Sequence, residues 1–207
     1  MPRRSSSSSR WLQRQAGDTY VKQSRQQGYR SRAAYKLKDI NQRDKLIKRG
    51  SRVLDLGASP GGWTQVASEI VGPEGTVVAV DVLEMSDVAG ATLIIGDCRD
   101  AAVHAAVAAA LDERPVDLVM SDMAPNISGI AIKDLAAFEE LVHMCLELSD
   151  RHLRPGGALL LKLFESAGSD SLVREIRQRF KTVARRKPAA SRAQSREFYV
   201  VAKGFGI

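Results

Sequence analysis

Cysteine is nearly absent from this 207-residue chain: Cys98 and Cys145 are its only two, too few for a disulfide framework or a cysteine-ligated zinc site. Histidine is almost as scarce. His104, His143 and His152 stand 39 and 9 residues apart, without the close spacing of a metal motif, so no metal is expected. No apolar run approaches the roughly 20 residues that a membrane span requires. The first ten residues, five of them serine, are positively charged with no apolar stretch behind them, which argues against a secretory signal. These absences lead to an expectation of a reduced, cytoplasmic, metal-free protein without a membrane association.

What is present fits one globular domain: 44% of residues are hydrophobic and 27% charged. The formal charge of +7 hides a partition. Residues 1–50 hold 14 Lys/Arg against 3 Asp/Glu, residues 51–176 hold 8 against 20, and residues 177–207 hold 9 against 1. Two basic ends that met in space would form a phosphate-binding surface with salt-sensitive affinity; two solvated tails are the plainer alternative. Residues 1–27, rich in Ser, Gln and Arg, read as a flexible basic arm, with a short ordered turn near Trp11 and Tyr20. Residues 28–207 read as a single domain whose core is ample for a stable monomer.

Within that domain the pattern becomes helical over Ser31–Gln42, where Ala33, Leu37 and Ile40 share one face. Apolar runs suited to strands follow at Arg52–Leu56, Thr76–Asp81, Ala91–Ile95, Val116–Ser121, Gly157–Phe164 and Glu197–Ala202. Helical stretches separate them at Trp63–Val71, Ala101–Leu111, Asp134–Arg151 and Ser171–Phe180. Near-continuous apolar strands alternating with helices imply an α/β fold, a doubly wound, mostly parallel sheet covered on both faces. A strand over Lys181–Arg186 has only a loop before the last strand, so that pair is expected to be antiparallel at one edge. Ligands of such sheets bind beyond the carboxyl ends of the strands.

The first strand runs into Asp55-Leu56-Gly57-Ala58-Ser59-Pro60-Gly61-Gly62-Trp63. Its glycines permit a tight turn, but the order fits neither the dinucleotide G-x-G-x-x-G nor a P-loop, so phosphate binding there is not supported. Asp81 ends the second strand 24 residues after Gly57, close to the spacing at which a carboxylate meets ribose hydroxyls. Asp97, past the third strand, could reach an adenine edge. An adenosine-containing ligand without phosphates suits this set, and S-adenosylmethionine is such a ligand. A turn with two capping carboxylates is the structural alternative.

Four polar residues sit where composition would not place them. Lys162 interrupts the apolar run Ala158–Phe164, and Asp122 follows the strand Val116–Ser121. Lys36 borders the apolar stripe of its helix, and Glu197 opens the last strand behind a basic loop. Each alone could be a structural ion pair or a snorkelling chain.

Five segments together carry a resemblance: Ser31–Leu37, Asp55–Trp63, Ser121–Asn126, Leu161–Phe164 and Ser191–Glu197. From about Arg10 onward the chain resembles the FtsJ-type 23S ribosomal RNA uridine 2′-O-methyltransferases. The resemblance implies a Rossmann-like methyltransferase sheet of seven strands with an antiparallel edge strand. It also implies a Lys-Asp-Lys-Glu tetrad at Lys36, Asp122, Lys162 and Glu197, with Lys162 as general base. Cofactor contacts would fall on Gly61, Trp63, Asp81, Asp97 and Asp122, the cofactor being S-adenosyl-L-methionine. The partner would be 23S rRNA, on the large ribosomal subunit, with no obligate protein partner. Ser59 departs from a usual Ala and Ala34-Tyr35 from a bulkier aromatic pair; neither carries a proposed chemical role. Competing readings are 2′-O-methylation of tRNA or an mRNA cap, and a ribosome-assembly factor that binds RNA.

Overall fold

The computed structural model describes residues 19–206 except 126, 127, 130, 167 and 193. Trp11 and the first two-thirds of the basic arm, with Asn126 and Ala193 of the quoted motifs, lie outside the described residues. Helices are α1 (Thr19–Gln26), α2 (Ala33–Asp44), α3 (Gly62–Val71), α4 (Ala101–Ala110), α5 (Ala131–His152) and α6 (Ser169–Arg177). Strands are β1 (Arg52–Leu56), β2 (Thr76–Asp81), β3 (Thr92–Ile95), β4 (Val116–Ser121), β5 (Leu153–Phe164), β6 (Phe180–Arg186) and β7 (Glu197–Phe205). They form one sheet in the order β3-β2-β1-β4-β5-β7-β6. Strands β1 to β5 pair in parallel, and β7 runs antiparallel to both β5 and β6. The expected antiparallel edge pair therefore takes a particular form, with β7 inserted between β5 and β6. Composition explains the choice. Residues 198–202 of β7 are all buried, whereas β6 carries Lys181, Arg185 and Arg186 and keeps the exposed edge, where charge discourages further pairing.

Helices cover both faces. Leu37 and Ile40 of α2 and Val66 and Ala67 of α3 pack on one face, against Val53, Leu118, Leu160 and Val201. Residues of α4, α5 and α6, among them Val107, Val142, Leu146 and Ile176, pack on the other, against Leu54, Val119, Leu159 and Val200. Strand β5 starts at Leu153, four residues before the expected Gly157. Leu153 pairs with Val116 across a register shift that accommodates Pro155 and Gly156.

The last part of the segment read as a basic arm carries a helix. Thr19–Gln26 is helical, and the Tyr20 ring packs on Tyr35, with centroids 5.5 Å apart. Tyr29 meets Tyr35 edge to face at 5.8 Å and donates a 2.6 Å hydrogen bond to Glu69. The three tyrosines thus anchor α1 and α2 to the domain, and Tyr29 and Tyr35 are too buried to stack bases.

The two basic ends do meet, and the carboxylates of the N-terminal segment join them. Arg186 of β6 forms a two-pronged ion pair with Asp44 of α2, at 2.7 and 2.8 Å. Lys203 donates to the Asp44 carbonyl at 2.5 Å. The Ala189 amide donates to Asp39 at 2.7 Å, and Arg32 donates to the carbonyl of Ala190. Asp39 and Asp44 thus dock the N-terminal segment onto the β6–β7 hairpin.

Candidate active site

Strand alternation decides which polar residues can meet. Successive side chains of a strand point to opposite faces, so Lys162 shares the face of Ala158 and Leu160, and Asp55 that of Val53. Glu197 and Tyr199 share the face of Val201, and Lys162 lies directly opposite Tyr199 in the β5–β7 ladder. All of these lie beneath α2 and α3. Asp122, one residue past β4, lies beside Lys162, and α2 lowers Lys36 onto the group from above.

The result is one chain of hydrogen bonds. Glu197 Oε1 accepts from Lys36 Nζ at 2.6 Å. Lys36 Nζ donates to the Tyr199 hydroxyl at 3.1 Å, and that hydroxyl donates to Asp122 Oδ1 at 2.7 Å. Lys162 Nζ lies 3.1 Å from the same Oδ1 and also donates to the Asp122 carbonyl. All four tetrad residues, far apart in sequence, are therefore joined, and Tyr199 is the link between the two ion pairs. Sequence reasoning missed Tyr199, although the period of two places it on the face of Glu197.

The environment sets the protonation states. Burial pushes the Tyr199 phenol well above its usual range, and the negative charges of Asp122 and Glu197 add to this, so the hydroxyl stays protonated and can donate. Burial alone would raise Glu197; the hydrogen bond and charge of Lys36 outweigh it and hold the carboxylate below its usual range. Beneath the glycine loop, burial pushes the Asp55 carboxyl up to about 7, against the 2.7 Å hydrogen bond from Thr64 and with help from the charges of Asp122 and Asp81.

The glycine loop abuts this chain. Gly57 has φ +71°, and a Cβ there would stand 1.9 Å from Met123 Cγ, so the bare backbone is what lets the Asp122–Met123 segment close against the loop. Gly61, with φ +104°, leads into α3. Trp63 faces inward: its indole N–H donates to the Ala33 carbonyl at 2.9 Å, and its ring packs 5.7 Å from Tyr199. Trp63 thus forms the wall between loop and tetrad, and any contact it makes with a cofactor is left to its backbone.

Asp81 and Asp97 stand at the carboxyl ends of neighbouring strands, tied together by the Gly96 amide on the Asp81 carbonyl. The Asp81 carboxylate accepts from the amides of Ser59 and Leu83, each at 2.8 Å, and so braces the loop. Arg99 grips Asp97 through its side chain and amide and holds that carboxyl down to about 2. Both carboxylates keep lone pairs to accept from hydroxyl or amino groups. Beside them Val82, Leu83 and Ile95 are large apolar residues left about 60% exposed. Hydrogen-bond acceptors next to open apolar surface fit an adenosine moiety. The cation at the loop, Arg30, is already engaged: it donates to the carbonyls of Pro60, Ser86 and Asp87, stapling the loop to the segment after β2. No sequence signal marked Arg30. Its truncation to alanine is expected to weaken binding of an adenosine ligand about tenfold by freeing that segment, measured by equilibrium dialysis.

Among the described residues no helix is long and apolar enough to cross a membrane, and no three His, Cys, Asp or Glu cluster as metal ligands.

Similarity to known proteins agrees with this architecture. A ribosomal RNA methyltransferase of Plasmodium falciparum superposes with a TM-score of 0.75 at 25% identity, over 86% of this chain and 98% of that one. Aeropyrum pernix fibrillarin, solved with natively bound S-adenosyl-L-methionine, shares the fold with a TM-score of 0.56 at 19% identity, over 82% of this chain and 73% of that one. In sequence, the ribosomal RNA large subunit methyltransferase E of Xanthomonas oryzae pv. oryzae is 50% identical over 204 residues, 99% of this chain and 97% of that protein. The protein of the same name from Xanthomonas campestris pv. campestris matches to the same extent. The FtsJ-like methyltransferase pattern spans residues 29–205, taking in the glycine loop and every member of the tetrad, and the chain belongs to that family.

Proposed function

We propose that the protein transfers a methyl group from S-adenosyl-L-methionine to the ribose 2′-hydroxyl of a uridine in 23S ribosomal RNA, acting on the large subunit. The observation that carries this reading is the joining of Lys36, Asp122, Lys162 and Glu197 into one hydrogen-bonded chain against the glycine loop. The relatives' names support the substrate class.

The cofactor, when bound, supplies an activated methyl on a sulfonium. Gly61, Asp81 and Asp97 are assigned to hold it, with Asp122 at the border between cofactor and substrate. The protein's own task is to orient the hydroxyl and manage its proton. We assign Lys162 this role as general base. A neutral amine has two N–H bonds and one lone pair. Both hydrogens find acceptors on Asp122, its carboxylate and its carbonyl, so the lone pair is what remains for the 2′-hydroxyl. Once Lys162 takes the proton, the Asp122 carboxylate balances the new charge. Lys36, held by Glu197 and Tyr199, supplies a fixed cation near oxygen charge developing at the ribose.

Methylation of large subunits from cells lacking the enzyme, followed by mapping of the modified ribose, tests the reading; a methyl group on a base, or on tRNA alone, would refute it. Replacing Tyr199 by Phe keeps the ring against Trp63 but removes the donor to Asp122 and the acceptor for Lys36. The single-turnover rate is expected to fall about 10–100-fold with cofactor affinity unchanged, a size suited to a lost charge-assisted hydrogen bond.

A further inference from the structure

Next to the tetrad, on the side where the two basic ends meet, the surface opens into a cleft of about 420 Å³. Its lining is Arg32, Lys36, Arg192, Gln194, Ser195 and Glu197, so three cations face one carboxylate, and that carboxylate is already paired with Lys36. Arg32 comes from the turn before α2 and is held from behind: it donates to the Ala190 carbonyl, and its guanidinium lies over the Tyr20 ring at 5.8 Å. Arg192 comes from the β6–β7 loop and is exposed. Burial and the positive charge of Arg192 lower the pKa of Arg32, and the charge of Glu197 acts against them. An anion seated beside both guanidiniums would favour their charged forms. Guanidinium forks match phosphate oxygens, and Gln194 and Ser195 add neutral polar groups.

Lys36 and Glu197 belong both to this cleft and to the tetrad, so an anion seated here lies next to the reacting centre. In RNA the 3′-phosphodiester is attached one carbon away from the 2′-hydroxyl. We propose that the Arg32–Arg192 cleft binds the phosphodiester flanking the target ribose and so aligns that ribose with Lys162. This rests on the RNA methylation reading above and names the part of the substrate that this cleft holds. It also gives a use for the convergence of the basic ends, since neither segment could build the cleft alone.

The test uses the full-length protein and large ribosomal subunits lacking the modification. Arg192→Gln is expected to lower the single-turnover rate at saturating subunit about tenfold. It should also flatten the dependence of log affinity on log salt by about 0.7, the share of one single-stranded phosphate. Arg192→Lys should restore part of both, and S-adenosylmethionine affinity, measured by dialysis, should be unchanged. Arg49→Gln removes the same charge from an exposed ion pair with Glu74 and is the control, expected to change neither reading. If Arg192→Gln behaves like Arg49→Gln, or if affinity falls while the saturated rate holds, the anion site is not beside the reacting ribose and the proposal is overturned. Failure of the wild-type protein to methylate a ribose in these subunits would instead overturn the proposed reaction, and the two failures are read in separate arms.

Discussion

Lys162→Ala is expected to reduce methyl transfer about 10²–10⁴-fold, the range for loss of a positioned general base, while S-adenosylmethionine binding is retained. The side chain contributes to no described contact of Asp81, Asp97 or the glycine loop; among the described residues its hydrogen bonds are to Asp122. Removing it leaves Asp122 with its Tyr199 donor, so the remaining chain of hydrogen bonds keeps its anchor. The more discriminating variant is Lys162→Arg. Arginine keeps the positive charge but cannot give up its proton in a protein. If Lys162 takes the hydroxyl proton, both variants are inactive. If a fixed charge at that position suffices, arginine retains substantial activity, and the base assignment fails. Single-turnover rates with bound cofactor, so that product release does not intrude, make the comparison.

Stability should fall as pH rises from about 4 to 7, through Asp55. A carboxyl ordinarily titrates near pH 4, but burial raises this one to about 7. Below both values the folded and unfolded states are alike protonated and no penalty arises. Between them the unfolded chain gives up a proton that the folded protein keeps, and the folded state is disfavoured more with each step upward. A shift of about 3 units corresponds to about 4 kcal/mol, fully present above pH 7. Asp55→Asn removes the ionisation and keeps an oxygen to accept from Thr64. Urea unfolding should therefore show the variant gaining on the wild type at pH 8.5 and matching it near pH 4. Parallel curves across that range would show that Asp55 ionises freely in the folded protein. Other carboxylates, such as Asp44 and Glu197, lie below their usual range and weaken both proteins alike at low pH, so only the difference between the two is informative.

Much of the site was legible because its signals are local. Lys162 stood out as a charge inside an apolar run, and Asp122 and Asp81 stood at strand ends where such folds bind ligands. Lys36 and Glu197 were less visible taken singly, since a lysine at the edge of a helical stripe and a glutamate after a basic loop are ordinary; the family resemblance joined them to the others. Tyr199 and Arg30 escaped notice for different reasons. A tyrosine in a buried strand looks like core, and only its opposition to Lys162 makes its hydroxyl a bridge. Arg30 acts on backbone carbonyls, which leave no trace in side-chain sequence.

The order of strands and helices, the glycine turn and the placing of charge at the two ends follow from the sequence itself, because hydrophobic period, turn chemistry and charge are properties of neighbouring residues. That β7 rather than β6 lies inside the sheet, that Tyr199 bridges the two lysine pairs, and that Arg32 faces Arg192 across a cleft were decided only in three dimensions. Those outcomes depend on register across strands and on how α2 docks against the β6–β7 hairpin through Asp39 and Asp44, contacts between segments about 150 residues apart whose geometry no local pattern encodes.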